Sequence, residues 1–317
     1  MKRFKNIVYV VNNNSHSSSS LLRVVSLAKN NQADLTLLSV IPKLSLSSYP
    51  EIIGASKSEV EQTLLERNKV ALEQVVASLE LPSKVTAMVA MGKVYLETMR
   101  AVQDKNFDLV IKEAGSASWL DRLLGSDDLN LLRMCPTPVW LMKENEQADY
   151  KNILAAVSFD DDEGINTELN STLVELASSL ALSDFASLHI ANVFDTGNAG
   201  FIGLWAEDPV QVEKQFYEAE LLQSSRKINV LLNSLQRSVG EHSYQYLATK
   251  VHIKQGEPAE ELVKLASHIT ADLVVIGTNS RGGIAAAVLG NTVETVLSQL
   301  NCSVLAVKPS GFVAPAI

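Results

Sequence analysis

The sequence predicts an α/β protein made of two tandem domains, each with an open, five-stranded, mostly parallel sheet flanked by helices. Two observations lead to this fold class. Short runs of β-branched apolar residues, typical of buried parallel strands, alternate with longer stretches of helical spacing. The same order of segments then occurs a second time within the 317 residues, a length that suits two domains of ordinary size. Strands that alternate with helices form parallel units with right-handed crossovers.

The first half of the chain contains five predicted strands, at residues 5–11, 35–41, 85–90, 108–111 and 139–142. The longest helical pattern, 59–79, is amphipathic and rich in residues of high helix propensity. Shorter helices are predicted at 21–28, 95–102 and 129–133.

The second half repeats these landmarks. Lys151 corresponds to Lys5, an offset of 146, whereas Asp272 corresponds to Asp108 at an offset of 164. Repeated landmarks at nearly constant offsets indicate an internal duplication. The increase in offset implies an insertion of about 18 residues, which we predict at 194–213. The predicted organisation is a first domain at 1–143, a polar linker at 144–150, a second domain at 151–310 and a tail at 311–317.

Charge is unevenly distributed along the chain. Up to Asp149 there are 17 basic and 17 acidic side chains, so the second half, with 10 basic and 19 acidic ones, carries the entire net charge of −9. No basic stripe is present to follow a nucleic-acid backbone, and an acidic surface repels one. No apolar run approaches a membrane span, and the N-terminal stretch is too short to predict a signal peptide. We therefore expect a cytoplasmic protein with no nucleic-acid or membrane partner.

The clearest functional pattern follows the apolar run 273–276 in the second half. It begins at Gly277, which ends the predicted strand, and leads into a helical pattern near residue 293. The candidate ligand residues between them are Asn279, Ser280, Arg281, Gly282, Gly283, Gly290, Asn291 and Thr292. Glycine lets a backbone approach a ligand closely, and the free N–H groups of a helix N-terminus attract anions. The pattern predicts a phosphate cradle with Arg281 beside it; the alternative is a tight connection whose glycines only satisfy geometry.

These residues resemble a known family. The segment G-N-T-x-E at 290–294, followed by the closing V-L-A-V-K-P at 304–309, is similar to the pattern of the universal stress protein family. A second closing segment, L-L-R-M-C-P-T-P-V-W-L-M-K at 131–143, indicates two copies in one chain. The resemblance covers nearly the whole chain. It implies a tandem member of this family, with a Rossmann-like fold of the adenine nucleotide alpha hydrolase-like type.

The resemblance also implies a ligand. Members of the family that bind ATP carry G-x-x-G, nine residues and then G-[ST], and they use the loop backbone for the phosphates. In this chain Gly277 takes the first position, Ser280 the second, Gly290 the third and Asn291 the last, with Thr292 adjacent.

Two further positions are implied at the ends of earlier strands. Ser158 falls on the aspartate that the family places after its first strand, and Val193 falls where the family's backbone meets the adenine. The implied cofactor is ATP or a related adenine nucleotide, together with Mg²⁺.

The first half departs further from the family pattern. Glu113 stands where Gly277 stands in the second half and brings a negative charge toward any phosphate. Trp119 replaces a loop glycine and fills space. We interpret this half as degenerate and structural. Its predicted role is to pair with the second half through the closing strands at 139–142 and 304–307, as two single-repeat members of the family pair in dimers.

The remaining polar residues favour structural roles. His189 and His252 lie in strand-like runs and are interpreted as satisfied core or edge histidines. The acidic run 160–163 favours a solvated helix start over a Mg²⁺ site. Cys135 and Cys302 are predicted to be buried free thiols. No nucleophile motif is present, so no catalytic residue and no protein-held metal site is predicted.

Three functions are compatible with these patterns. The leading one is a stress-response sensor or adaptor that binds an ATP-like or other phosphorylated ligand in the second domain, with slow or absent hydrolysis and an unknown protein partner. The alternative is an interaction module without nucleotide binding, in which Phe201, Trp205 and Phe216 cover the pocket or hold an apolar or lipid-like ligand. An enzyme of the alpha hydrolase group would need a first-strand S-G-G-x-D-S loop, which S-F-D-D-D at 158–162 does not match.

Overall fold

The structure is a computed structural model, and it describes residues 4–11, 19–43, 56–114, 127–143, 146–159, 165–195, 205–278 and 290–314. The chain forms two compact units that divide between Ala148 and Asp149. This division lies inside the linker that the sequence predicts at 144–150.

The first domain is built around five parallel strands. They are β1 (Asn6–Val11), β2 (Asp34–Ile41), β3 (Val85–Met91), β4 (Leu109–Glu113) and β5 (Val139–Met142). The helices between them are α1 (Ser19–Asn31), α2 (Lys57–Ser78), α3 (Val94–Lys105) and α4 (Asp127–Met134). Within this domain the strand order is β3-β2-β1-β4-β5, and each neighbouring pair is parallel.

The second domain repeats this arrangement. Its strands are β6 (Asn152–Val157), β7 (Ser187–Phe194), β8 (Lys250–Gln255), β9 (Leu273–Gly277) and β10 (Ser303–Val307). Its helices are α5 (Ile165–Asp184), α6 (Pro209–Val239), α7 (Glu241–Tyr246), α8 (Pro258–His268) and α9 (Asn291–Gln299). The strand order within the domain is β10-β9-β6-β7-β8, again with parallel neighbours.

The predicted fold class is confirmed in both domains. In each central strand, β1 and β6, every residue after the first is buried. Such continuous burial is expected where helices cover both faces of a parallel sheet, and it explains why these strands are apolar runs rather than alternating patterns. Within the described ranges, no helix combines the length and the apolar character needed to cross a bilayer.

One hydrogen-bonded clamp occurs at the same place in both domains and supports the duplication. The Asp108 carboxylate accepts hydrogen bonds from the backbone N–H groups of Lys5 and Asn6, where β1 begins. The Asp272 carboxylate accepts the N–H groups of Lys151 and Asn152, at 2.7 and 2.9 Å, where β6 begins. In each domain the residue before the fourth strand therefore fixes the start of the first strand.

The predicted position of the insertion was wrong. The connection before α2 (42–56) has 15 residues and the connection before α6 (195–208) has 14, so no insertion lies there. The extra length is helical: α5 has 20 residues against 13 in α1, and α6 has 31 against 22 in α2. The Gly, Asp and Pro content of the stretch indicated an inserted loop, but the corresponding connection of the first domain is one residue longer.

We predict that Asp272→Ala destabilises the second domain by roughly 1–3 kcal/mol, because two strand N–H groups lose a charged acceptor. The matched substitution Asp108→Ala should destabilise the first domain by a similar free energy. Hydrogen–deuterium exchange with mass spectrometry measures each domain separately. Equal exchange in β6 of the wild-type protein and the Asp272→Ala variant would contradict the prediction.

Candidate functional site

Of the candidate ligand residues that the structure describes, three lie at or near the carboxyl ends of strands of the second domain and three lie at the start of α9. Gly277 is the last residue of β9, and β9 pairs with β6, which ends just before Ser158. Val193 lies near the end of β7, which pairs with β6 on its other side. Gly290 is the N-cap residue of α9, whose first two residues are Asn291 and Thr292. Parallel strands bring these ends to one edge, which is where ligands bind in sheets of this type.

Several predicted site residues cannot be placed. Asn279, Ser280, Arg281, Gly282 and Gly283 lie outside the described residues. Outside them as well lie the acidic run 160–163, Trp119 in the first domain, and Phe201 in the second. The predicted cradle is therefore represented by its two ends, Gly277 and Gly290.

Gly277 has a packing reason to be glycine. A Cβ atom at this position would lie 2.7 Å from Cδ2 and 3.2 Å from Cγ of Leu169, and 3.5 Å from Cδ1 of Leu173. Both leucines belong to α5 and are buried. The absent side chain lets α5 pack closely on the end of β9. This contact gives a reason for glycine at position 277 that involves no ligand, as the geometric alternative expects.

The matching position of the first domain is filled differently. Glu113 ends β4, is buried, and accepts a hydrogen bond of 3.0 Å from the Ser20 hydroxyl of α1. The Glu113 carboxylate, which we expected to repel a phosphate, is thus hydrogen-bonded inside the domain. Where α9 begins with neutral residues, the corresponding α4 begins with Asp127 and Asp128. Asp128 pairs with Lys112 at 2.7 Å, so this edge carries the protein's own carboxylates.

Two asparagines that the sequence analysis did not select hold the end of β6. The buried Asn170 of α5 accepts from the backbone N–H of Ser158 at 3.2 Å and donates to its carbonyl at 2.7 Å. Asn192 of β7 is also buried and donates to the Val157 carbonyl at 3.1 Å. Its Oδ1 atom has no hydrogen-bond partner among the described residues. A polar residue in an otherwise apolar strand was the available sign for Asn192.

Helix α6 adds two further side chains at this edge. The Lys227 ammonium donates to the Phe159 carbonyl at 3.2 Å and lies 5.4 Å from the centroid of the Phe159 ring. The Tyr217 ring packs against Phe194 with centroids 5.8 Å apart and a tilt of 47°. Neither residue was predicted, because the spacing along a helix does not tell which strand end it will meet.

The two strand histidines contact each other rather than the candidate site. Nδ1 of His189 and Nε2 of His252 lie 2.9 Å apart, and Nε2 of His189 lies 3.3 Å from Oδ1 of Asn152. Burial is the main cause that lowers the pKa of His189 to about 4, with smaller contributions from the charges of His252 and Lys250. Burial also lowers the pKa of His252. The interpretation of both as satisfied histidines is confirmed.

The described residues contain no group of three or more His, Cys, Asp or Glu side chains that could hold a metal ion. Cys135 and Cys302 are buried thiols that form no disulfide, as predicted. The described part of the edge therefore provides backbone amides, amide side chains, aromatic rings and one ammonium group, which suit binding of a small polar ligand.

Comparison with known proteins shows which family the chain belongs to. The pattern of the universal stress protein family matches residues 3–143 and again residues 149–308. The chain belongs to the universal stress protein family. The two matches confirm the tandem repeat, and family membership makes this chain a stress-response protein.

This universal stress protein is similar to relatives over 66% to 97% of its length. It is 26% identical to the universal stress protein E homolog of Haemophilus influenzae, over 97% of this chain and 98% of that protein. It is 28% identical to universal stress protein E of Escherichia coli K12, over 66% of this chain and 63% of that protein.

Solved structures share the fold of this universal stress protein. A putative universal stress protein from Pseudomonas aeruginosa UCBPP-PA14 has a TM-score of 0.66 and 22% identity, covering 98% of this chain and 95% of that one. A universal stress protein from Archaeoglobus fulgidus has a TM-score of 0.59 and 18% identity, covering 98% of each chain.

Proposed function

We propose that the second domain binds ATP or a related phosphorylated ligand at the carboxyl edge of its sheet, and that the protein acts as a cytoplasmic stress sensor or adaptor. One difference between the domains carries this proposal. Helix α9 begins with the neutral residues Asn291 and Thr292 after the N-cap Gly290 and has one acidic residue, Glu294, in its first turn, whereas the corresponding α4 begins with two aspartates. Helix N-terminal amides attract anions, so the less acidic start of α9 suits a phosphate better than the start of α4.

The residues at this edge fit such a ligand in part. The start of α9, with Asn291 and Thr292, would receive the phosphates, and Mg²⁺ would enter with the nucleotide. Packing against Leu169 gives Gly277 a structural reason to be glycine, so the proposal does not depend on it. Ser158 and Val193, at the ends of β6 and β7, are within the same edge and would face the nucleoside.

We predict that Gly290→Asp weakens nucleotide binding without unfolding the protein. Aspartate is a favoured N-cap residue, and the φ of −61° at Gly290 suits any residue, so helix α9 should persist. Its carboxylate would occupy the amides that the phosphates need and would repel them. Calorimetric titration of MgATP should show at least roughly tenfold weaker binding, a loss of about 1.4 kcal/mol.

The matched control for this titration is Gly125→Asp, at the corresponding position of the first domain, which should bind MgATP like the wild-type protein. Wild-type protein that gives no heat with MgATP, or a Gly290→Asp variant that binds as tightly, would refute nucleotide binding in the second domain.

Binding without catalysis is the second part of the proposal. No nucleophile motif is present in the sequence, so we expect phosphate release from ATP to be slow or absent. An assay of inorganic phosphate, compared between wild-type protein and Gly290→Asp, tests this point. Pairing of the two domains through Val139–Met142 and Ser303–Val307, and an unknown protein partner, stay predictions of the same proposal.

A second candidate is an interaction module that holds an apolar ligand instead of a nucleotide. Trp205, four residues before the start of α6, is 85% exposed, and Val210 on the first turn is 75% exposed. Clusters of large exposed apolar side chains often mark a binding surface, and these two residues are close in the chain. Native mass spectrometry of the purified protein distinguishes the candidates: a retained nucleotide supports the first, and a retained apolar molecule supports the second.

A further inference from the structure

Helix α6 is longer than the strands that it connects. Its 31 residues span roughly 46 Å, whereas the eight residues of β7 span roughly 26 Å. Its buried residues, Ser224, Ile228, Leu231 and Leu235, all lie in its second half. Because α6 returns the chain from the carboxyl end of β7 to the start of β8, its first three turns extend beyond the carboxyl edge of the sheet, beside the proposed ligand site.

These first turns continue the apolar face of the helix. Along α6, Val210, Tyr217 and Leu221 are followed by the buried Ser224 and Ile228, with successive spacings of seven, four, three and four residues. The first three residues therefore lie on the side of the helix whose later residues are buried. Val210 is 75% exposed and Tyr217 is 39% exposed. The row of Val210, Tyr217 and Leu221, here called the overhanging row, therefore leaves apolar surface uncovered at the edge.

Two side chains of α6, one of them in the overhanging row, contact the strand ends. The Tyr217 ring packs against Phe194, the last residue of β7 and the neighbour of Val193. Farther along the same helix, the Lys227 ammonium is bound to the Phe159 carbonyl just beyond β6. One helix thus supplies an aromatic ring at the end of β7 and a positive charge at the end of β6.

A buried asparagine below this edge also has an acceptor atom without a hydrogen-bond partner among the described residues. Asn192 is 2% exposed, lies beside Val157 in the register of β7 and β6, and has an Oδ1 atom without a hydrogen-bond partner among the described residues. An unsatisfied buried acceptor is costly, and the N–H group of a bound heterocycle is one means of satisfying it.

We propose that Tyr217 is a specificity-determining residue that stacks on the planar base of the ligand, so that the second domain selects a nucleotide over a bare polyphosphate. This inference rests on the proposed function, because it concerns the same edge. An aromatic ring provides a stacking surface for a base, while a chain of phosphates has no flat apolar face to offer it. Lys227 would add attraction for the anionic part of the ligand.

The test is calorimetric titration of MgATP and of magnesium tripolyphosphate into four proteins: wild type, Tyr217→Ala, Tyr217→Phe and Tyr246→Ala. Tyr246 is 64% exposed on α7, so Tyr246→Ala is a matched control for loss of an exposed tyrosine. We expect Tyr217→Ala to weaken MgATP binding roughly tenfold or more and to leave tripolyphosphate binding unchanged. Tyr217→Phe, which keeps the ring, and Tyr246→Ala should bind both like the wild-type protein.

The possible results separate the two proposals. Wild-type protein that binds neither compound refutes the proposed function. Wild-type protein that binds both equally tightly, or a Tyr217→Ala variant that keeps full MgATP affinity, refutes the role of Tyr217 and leaves ligand binding intact. Equal loss of both compounds in Tyr217→Ala refutes stacking in favour of a general effect on the edge. Circular dichroism of each variant confirms folding, which is expected because no residue in this part of α6 is buried.

Discussion

Gly277→Glu should destabilise the second domain by roughly 3–5 kcal/mol, the largest effect that we expect from a single substitution. The glutamate would be placed against Leu173 and against Leu169, whose Cδ2 atom lies only 2.7 Å from the position of a Cβ atom. Its carboxylate would have apolar neighbours on α5, and a buried charge without a partner is strongly unfavourable. Urea unfolding, with hydrogen exchange to assign the loss to β6 and β9, measures the effect.

The first domain shows what a glutamate needs at this place. The Glu113 carboxylate accepts a hydrogen bond from Ser20, whereas the side chains near Gly277 are Leu169 and Leu173, which cannot donate one. The double variant Leu173→Ser with Gly277→Glu should therefore be more stable than the sum of its single effects, by roughly 0.5–3 kcal/mol. Glu113→Gln, which keeps an acceptor for Ser20, is the matched control and should stay close to wild type. Additive effects in the double variant would contradict this explanation.

Acid should weaken the second domain through His189 by about 3 kcal/mol between about pH 7 and about pH 4. The pKa of this histidine is lowered from 6.5 to about 4 in the folded protein. Between these two pKa values, the unfolded chain therefore binds a proton at His189, whereas His189 of the folded chain stays neutral. The contribution of neutral His189 is complete above the unfolded value of 6.5 and is lost as the pH falls toward 4.

The measurement is the free energy of unfolding of wild type and His189→Gln as a function of pH. Glutamine cannot take up the proton, so the stability of this variant should fall less steeply in that interval, even if it is lower at neutral pH. His242→Gln, at an exposed histidine of α7, is the matched control and should follow the wild-type profile. Parallel profiles for wild type and His189→Gln would show that His189 does not cause the acid sensitivity.

Local patterns in the sequence predicted the strands well. The buried runs at 7–11 and 153–157 are apolar throughout, because both faces of a central parallel strand are covered, and this left little ambiguity. The start of α2 could also have been read locally: Ser56 and Glu59 form a capping box, which moves the helix start two residues before the predicted residue 59. The insertion was misplaced because extra helical turns at the ends of α5 and α6 keep the normal helical composition.

The candidate site could be predicted only as far as its chain position. Gly277 and Gly290 were found because turns and strand ends leave recognisable residues in the sequence, whereas Ser158 and Val193 were implied by the resemblance to the family. That Gly277 serves packing depends on Leu169, which lies more than one hundred residues away in the chain. Nothing in the spacing around either residue reveals that contact.

By itself the sequence determined the duplication, the parallel α/β architecture, the family and the difference in charge between the two helix starts, since each of these is written in local periodicity or in a repeated order of residues. Only the tertiary structure decided that Glu113 is hydrogen-bonded to Ser20, that His189 contacts His252, and that α6 brings Tyr217 and Lys227 to the ends of β7 and β6. The physical reason is that these contacts join segments far apart in the chain. Their energies depend on side-chain distances that the crossovers of the sheet set, and no local propensity encodes those distances.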